Sequence, residues 1–149
     1  MSKASENAYK TAITRSKLST AAQYLVDNDL LKGKCLDFGC GKGFDCDALG
    51  IDGYDPHYRP RHLEFDGYDT VMCNFVLNCL PEEEWFDVIK GIIGTLKLDG
   101  GIAYISVRND KKNLNGFTMK DTFQTFVELD YPIVKKTSNF VMYKIEMEA

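Results

Sequence analysis

Apolar and polar positions alternate along this chain in a way that divides it into short strands and helices taking turns. Residues 35–38, 51–54, 70–75 and 102–107 are brief runs rich in β-branched, aromatic and small apolar side chains, the pattern of strands buried on both faces. Trp85, Val88, Ile89, Ile92, Ile93 and Leu96 recur at helical spacing, and Pro81 followed by Glu82, Glu83 and Glu84 supplies the first-turn chemistry of that helix. Thr20 with Gln23 reads as a capping box opening an earlier helix that carries Tyr24, Leu25 and Leu31 and ends near Gly33. Only a very short helix fits at residues 45–49. Beyond Arg108 a polar stretch reads as an exposed loop, and Thr118 with Asp121 predicts a helix running to about Leu129. Residues 133–136 and 140–146 are close enough to form a hairpin.

Strands alternating with helices and closing on a hairpin predict a three-layer α/β fold, with a mostly parallel sheet and one antiparallel strand near the C-terminus. Pro56, Pro60 and Gly67 punctuate a segment with few β-formers, so the third strand of such a fold is expected to be reduced to a loop. The length of 149 residues suits a single domain over 1–149, and residues 1–17, polar and without periodicity, read as an N-terminal arm or short helix. Ligands in open parallel sheets bind beyond the carboxyl ends of the strands, where Asp37, Asp55 and Asn74 fall.

Composition narrows the setting without naming a function. A net charge of −4 with 27% charged and 44% hydrophobic residues is that of an ordinary globular protein and carries no bulk signal for nucleic acid. Basic side chains do cluster locally, at Arg59 and Arg61 and at Lys111 and Lys112. Cysteines 35, 40, 46, 73 and 79 form no C-x-x-C pair, and no run approaches the ~20 apolar residues of a membrane span. A reducing cytoplasm is the expected compartment, that of a host if a virus or mobile element carries the gene.

The chemistry concentrates in the turn after the first strand. Gly39, Gly41 and Gly43 give G-x-G-x-G, Phe44 breaks the dinucleotide pattern, Asp37 precedes the turn, and Asp55 follows Asp37 by 18 residues. A pyrophosphate requires anion-binding N–H groups, whereas a cationic ligand is suited by flanking acids. This arrangement resembles motif I of class I S-adenosylmethionine-dependent methyltransferases. The resemblance implies a cofactor site of Asp37, Gly39, Cys40, Gly41, Gly43, Asp55, Pro56 and Asn74. In it Asp37 faces the ammonium group, Asp55 takes the ribose hydroxyls and backbone N–H groups of the turn approach the ligand. Arg15 is a bidentate candidate for the cofactor carboxylate. Asn74 and His57 are the candidates for catalysis, with His57 and Tyr58 also able to lie over the adenine, and Thr122, Phe123 and Gln124 are candidates for an acceptor cleft. Cys40 and Cys73 read as packing residues, since none of the five cysteines follows a proline as in the carbon-5 pyrimidine enzymes. His57 and His62 lack partners at ligand spacing, so no metal is expected.

The whole chain, moreover, is similar to methyltransferases associated with DNA phosphorothioation systems. The shared blocks are AITRSKLS at 12–19, LDFGCGKG at 36–43, GYDPHYRP at 53–60, FVLNCL at 75–80 and GFTMKDTFQTF at 116–126. That resemblance implies in-line methyl transfer from S-adenosylmethionine, with a nucleic acid or nucleotide favoured as acceptor. The alternatives are a protein that binds S-adenosylmethionine to regulate or sequester it, and a small-molecule methyltransferase. The oligomeric state is left open.

Overall fold

The structure, a computed structural model, describes residues 2–118 and 121–148. Its elements run α1 (Lys3–Asn7), α2 (Thr20–Asp27), β1 (Cys35–Phe38), α3 (Phe44–Leu49), β2 (Asp52–Tyr54) and β3 (Thr70–Asn74). There follow α4 (Glu82–Thr95), β4 (Ile102–Arg108), β5 (Asn115–Phe117), β6 (Phe123–Thr125), β7 (Ile133–Lys136) and β8 (Phe140–Glu146). The main sheet has the order β2-β1-β3-β4-β8-β7. Its first four strands are parallel, β8 is antiparallel to β4, and β7 is antiparallel to β8.

Strand periodicity builds the two cores. Val71 and Cys73 of β3 face α4, where they join Trp85, Ile89 and Ile92, together with Ile105 of β4. Met72 between them faces the other way, onto Ala21, Ala22 and Leu25 of α2, with Tyr104 and Met142. Helices on both faces of a mostly parallel sheet give the expected three-layer, Rossmann-like arrangement. Between β2 and β3 the described chain has only isolated bridges, Asp55 with Arg59 and Tyr68 with Leu96, so β2 is the edge strand and the third-strand region is reduced.

Three local readings differ from the structure. The cap of α2 is Ser19, not Thr20: its Oγ accepts the Ala22 N–H at 3.3 Å and donates to Asp45 Oδ2 at 2.6 Å, while its backbone N–H donates to Asp45 Oδ1 at 3.0 Å. Gln23 turns forward to Asp27 instead of back to the cap. The same helix ends at Asp27, well before Gly33, in a Schellman motif: Leu30 N–H donates to the Leu25 carbonyl, Asp29 N–H to that of Val26, and Asp29 adopts φ 55°.

The helix predicted from Thr118 to Leu129 does not form. Residues 119 and 120 lie outside the described residues, but Asp121 has φ 62° and the flanking segments pair as the hairpin β5–β6. Threonines and phenylalanines at alternating positions suit a pleated ribbon, and Phe117 meets Phe123 edge to face across it, ring centres 5.6 Å apart.

Replacing Ser19 with Ala should lower stability to urea by about 1–2 kcal/mol, because α2 loses its cap and buried Asp45 loses a donor. Ser19→Thr, which keeps the hydroxyl, should retain most of that stability.

Candidate functional site

Strands β1 and β2 end side by side, with Phe38 opposite Tyr54, and the turn after β1 is fastened onto β2. The Tyr54 carbonyl accepts two N–H groups, from Gly39 at 2.7 Å and Cys40 at 2.9 Å. Gly39 adopts φ 83°, and a Cβ there would strike Val76 Cγ2, so both backbone angle and close approach require glycine. At Gly43, with φ 90°, the place of a Cβ is taken by the Arg59 guanidinium. Arg59 grips both Asp47 oxygens, at 2.9 and 2.7 Å, and the Lys42 carbonyl at 3.0 Å. That pairing holds the Asp47 carboxyl below its ordinary range and raises the pKa of Arg59.

Asp55, just past β2, braces the same turn. One carboxylate oxygen accepts the Gly41 N–H at 3.2 Å, and the other accepts those of His57 and Tyr58 at 3.0 and 2.9 Å. Gly43 N–H donates to the Cys40 carbonyl. The N–H groups of Gly39, Cys40, Gly41 and Gly43 are thus satisfied inside the protein, contrary to the expectation that they face a ligand. The turn supplies shape and clearance in place of donors.

Above it lies a cleft of about 660 Å³. Arg15, Asp37, Gly39, Cys40, Gly41, Gly43, Asp55, Pro56, His57 and Asn74 all line it. Tyr58, Thr122, Phe123 and Gln124 do not; Gln124 instead accepts from Asn78 and Arg108, and Cys73 lies in the α4-side core. The thiols of Cys40 and Cys73 are pushed up by burial and then by Asp37, which leaves neither as a ready thiolate. Arg59 and Arg61 pair with Asp47 and Asp52.

Two side chains of the cleft stand out for what they lack. Asp37 is 3% exposed, and among the described residues no hydrogen bond reaches its carboxylate. Burial, then Asp45 and Asp55, push it up to about 8, with Arg15 pulling the other way. At the end of β3, both amide atoms of Asn74 are buried without a partner, so the side chain does not cap the turn that follows. Phe75 beside it takes φ 61°, rare for a bulky residue, and wedges edge-on against Phe140.

Sequence reasoning found Arg15 but missed the rest of the arm, which roofs the cleft. The hydroxyls of Ser2 and Ser5 donate to Glu84 on α4, Tyr9 stacks on His57 with ring centres 3.8 Å apart and 14° between planes, and Ala12 sits against Gly41. Glu84, Asp87 and Val88 also line the cleft, although their spacing marked them only as the first turns of a helix. Tyr9, an aromatic ring in an otherwise polar segment, was the available signal.

Solved structures with this arrangement include the 1,6-didemethyltoxoflavin-N1-methyltransferase of Burkholderia thailandensis, bound to 1,6-didemethyltoxoflavin and S-adenosylhomocysteine. It aligns with TM-score 0.60 and 15% identity over 87% of this chain and 77% of its own. DhpI in complex with S-adenosylhomocysteine aligns with TM-score 0.55 and 11% identity over 84% and 86%. An S-adenosylmethionine-dependent methyltransferase from Thermotoga maritima gives 0.50 and 16% over 70% of this chain, which spans 55% of that relative's length. No protein-family model matches the sequence, and no curated protein does. The fold is the Rossmann-like fold of class I methyltransferases.

A pH dependence follows from Asp37. The unfolded chain releases this proton near ~3.9, whereas the folded chain keeps it to about 8. Across that interval the folded state binds more protons, so its stability falls as pH rises and levels off above about 8. Asp37→Asn should remove this part of the slope, seen as a smaller drop in melting temperature between roughly pH 5 and 8 than in the parent protein.

Proposed function

We propose that this chain is a methyltransferase that uses S-adenosylmethionine, and the observation that carries the reading is Asp37. A carboxylate with no hydrogen bond, 3% exposed on the wall of a large cleft, is costly to ionise unless a cation arrives. A ligand with an ammonium group and a positive sulfur fits that vacancy in charge, and the glycine turn clears the space beside it. Asp37 would hold the ammonium group and Arg15 the carboxylate. Asp55 would offer the one lone pair left on its Gly41-bonded oxygen to a ribose hydroxyl while keeping its three backbone donors. His57, already stacked on Tyr9, would add an aromatic face.

When bound, the cofactor supplies an activated methyl group: an acceptor lone pair forms the new bond to carbon, the electrons of the broken carbon–sulfur bond stay on sulfur, and the acceptor's proton leaves to solvent. The chain's own contribution is alignment and exclusion of water, which can supply ~7–11 kcal/mol. Asn74, with an unpaired carbonyl oxygen and amide, is placed to orient the acceptor. The five sequence blocks support kinship with the phosphorothioation-associated methyltransferases; three of them contribute residues to the cleft wall, and AITRSKLS forms the end of the roof. Five unpaired cysteines fit a reducing cytoplasm, and no described helix is long and apolar enough to cross a membrane. A binding protein without transferase activity is the second reading, favoured by the engagement of the two polar groups nearest the turn, His57 stacked on Tyr9 and Asp55 held by three backbone N–H groups.

Calorimetric titration tests the cofactor. S-adenosylmethionine and S-adenosylhomocysteine should both bind, with proton release near pH 7 as Asp37 ionises against the incoming cation. Asp37→Asn should weaken binding by about tenfold or more and abolish that proton release. Absence of binding heat with either ligand would end this reading.

A further inference from the structure

We infer that the acceptor is a compact organic cation, a small molecule with a positive group apart from its reacting atom; this rests on the cofactor reading above. The lining of the cleft is lopsided in charge, with six carboxylates against two permanent cations, Arg15 and Lys42. Both cations serve the glycine-turn end. Arg15 acts on Asp37, and Lys42 bonds Thr14 and lies over the Tyr58 ring. Three of the acids are likewise engaged there: Asp45 with Ser19, Asp55 with backbone N–H groups, and Asp37 facing the cofactor. That leaves Glu6 and Asp87 where the arm meets α4, beside Glu84, whose two oxygens each accept one hydroxyl from the arm, and among the described residues no basic side chain pairs with any of the three. Glu84 and Asp87 are three apart on α4 and so share a face.

The second observation is independent of those acids. Asn74, on the cleft wall at the end of β3, has an amide whose oxygen and nitrogen are both buried and unpartnered, a state that a bound polar group would relieve. Ala8, Phe75, Leu80 and Val88 make the neighbouring wall apolar. An apolar body with a cationic group toward Glu84 and Asp87 and a neutral nucleophilic atom toward Asn74 satisfies all three features. A phosphate chain is disfavoured, because the acids at the α4 end repel it and both cations lie at the glycine-turn end. The arm reinforces the choice, since it spans the cleft from Glu84 on one side to Gly41 and His57 on the other and leaves a small molecule the easier fit.

The test incubates the whole protein with methyl-tritiated S-adenosylmethionine and cell extract resolved into DNA, RNA, protein and small molecules, the last divided on cation and anion exchangers. Label is expected in the small molecules held by the cation exchanger. Label in nucleic acid, protein or the anion-exchange fraction overturns the inference. So does no label anywhere, and the separate calorimetric titration then shows whether the cofactor reading survives. Asp87→Asn with Glu6→Gln, which leave the Ser2 and Ser5 bonds to Glu84 in place, should cut labelling of the cationic fraction about fivefold with donor affinity unchanged. Unchanged labelling in this double variant counts against the proposal. As a readout apart from turnover, fluorescent DNA and RNA oligonucleotides should show no binding to the S-adenosylhomocysteine-saturated protein at about 0.15 M salt; saturable binding there overturns it.

Discussion

One carbonyl oxygen organises the site. By accepting N–H groups from both Gly39 and Cys40, Tyr54 ties the end of β1 to the end of β2. That clamp fixes how far apart Asp37 and Asp55 stand, and Asp55 returns the favour through Gly41. The glycines are required because the bent turn must pass close to Val76 on one side and Arg59 on another. Each contact is small, but together they hold a turn in left-handed geometry that ordinary residues resist.

The electrostatics of the cleft then follow from this rigidity. Asp37, Asp45 and Asp55 cannot move apart, so their mutual repulsion is absorbed by whichever is worst solvated. Asp45 has Ser19, Asp55 has three N–H groups, and Asp37 has neither. The empty protein meets this conflict by keeping a proton on Asp37, and a cationic ligand meets it by replacing the proton. On the reading proposed above, affinity for a positive group is built into the fold itself.

Much of this was legible in the sequence because it depends on short-range rules. Strand alternation gave β1 to β4 within a residue or so at each end, and proline with glycine marked the missing third strand. The glycine spacing and the two aspartates identified the cleft wall. What escaped was long-range or competed with a local rule. The hairpin β5–β6 was hidden by a capping pattern at Thr118 and Asp121 that serves a turn as well as a helix, and cross-strand pairing of Phe117 with Phe123 decided between them. Ser19 was missed as the cap because its partner, Asp45, lies 26 residues away. The arm showed no periodicity since it makes no core of its own; it docks through hydroxyls and one aromatic ring.

Phe75 carries a conflict between backbone and side chain. Its left-handed conformation costs about 1 kcal/mol or more that glycine would not incur, yet only a large ring can wedge against Phe140 and hold the backbone there. The neighbouring Asn74 amide, with no hydrogen bond to steer it, inherits its aim from that wedge. Tolerance to substitution at position 75 is thus narrow from both directions, and this part of the cleft wall is anchored on the α2 side of the sheet, against Phe140.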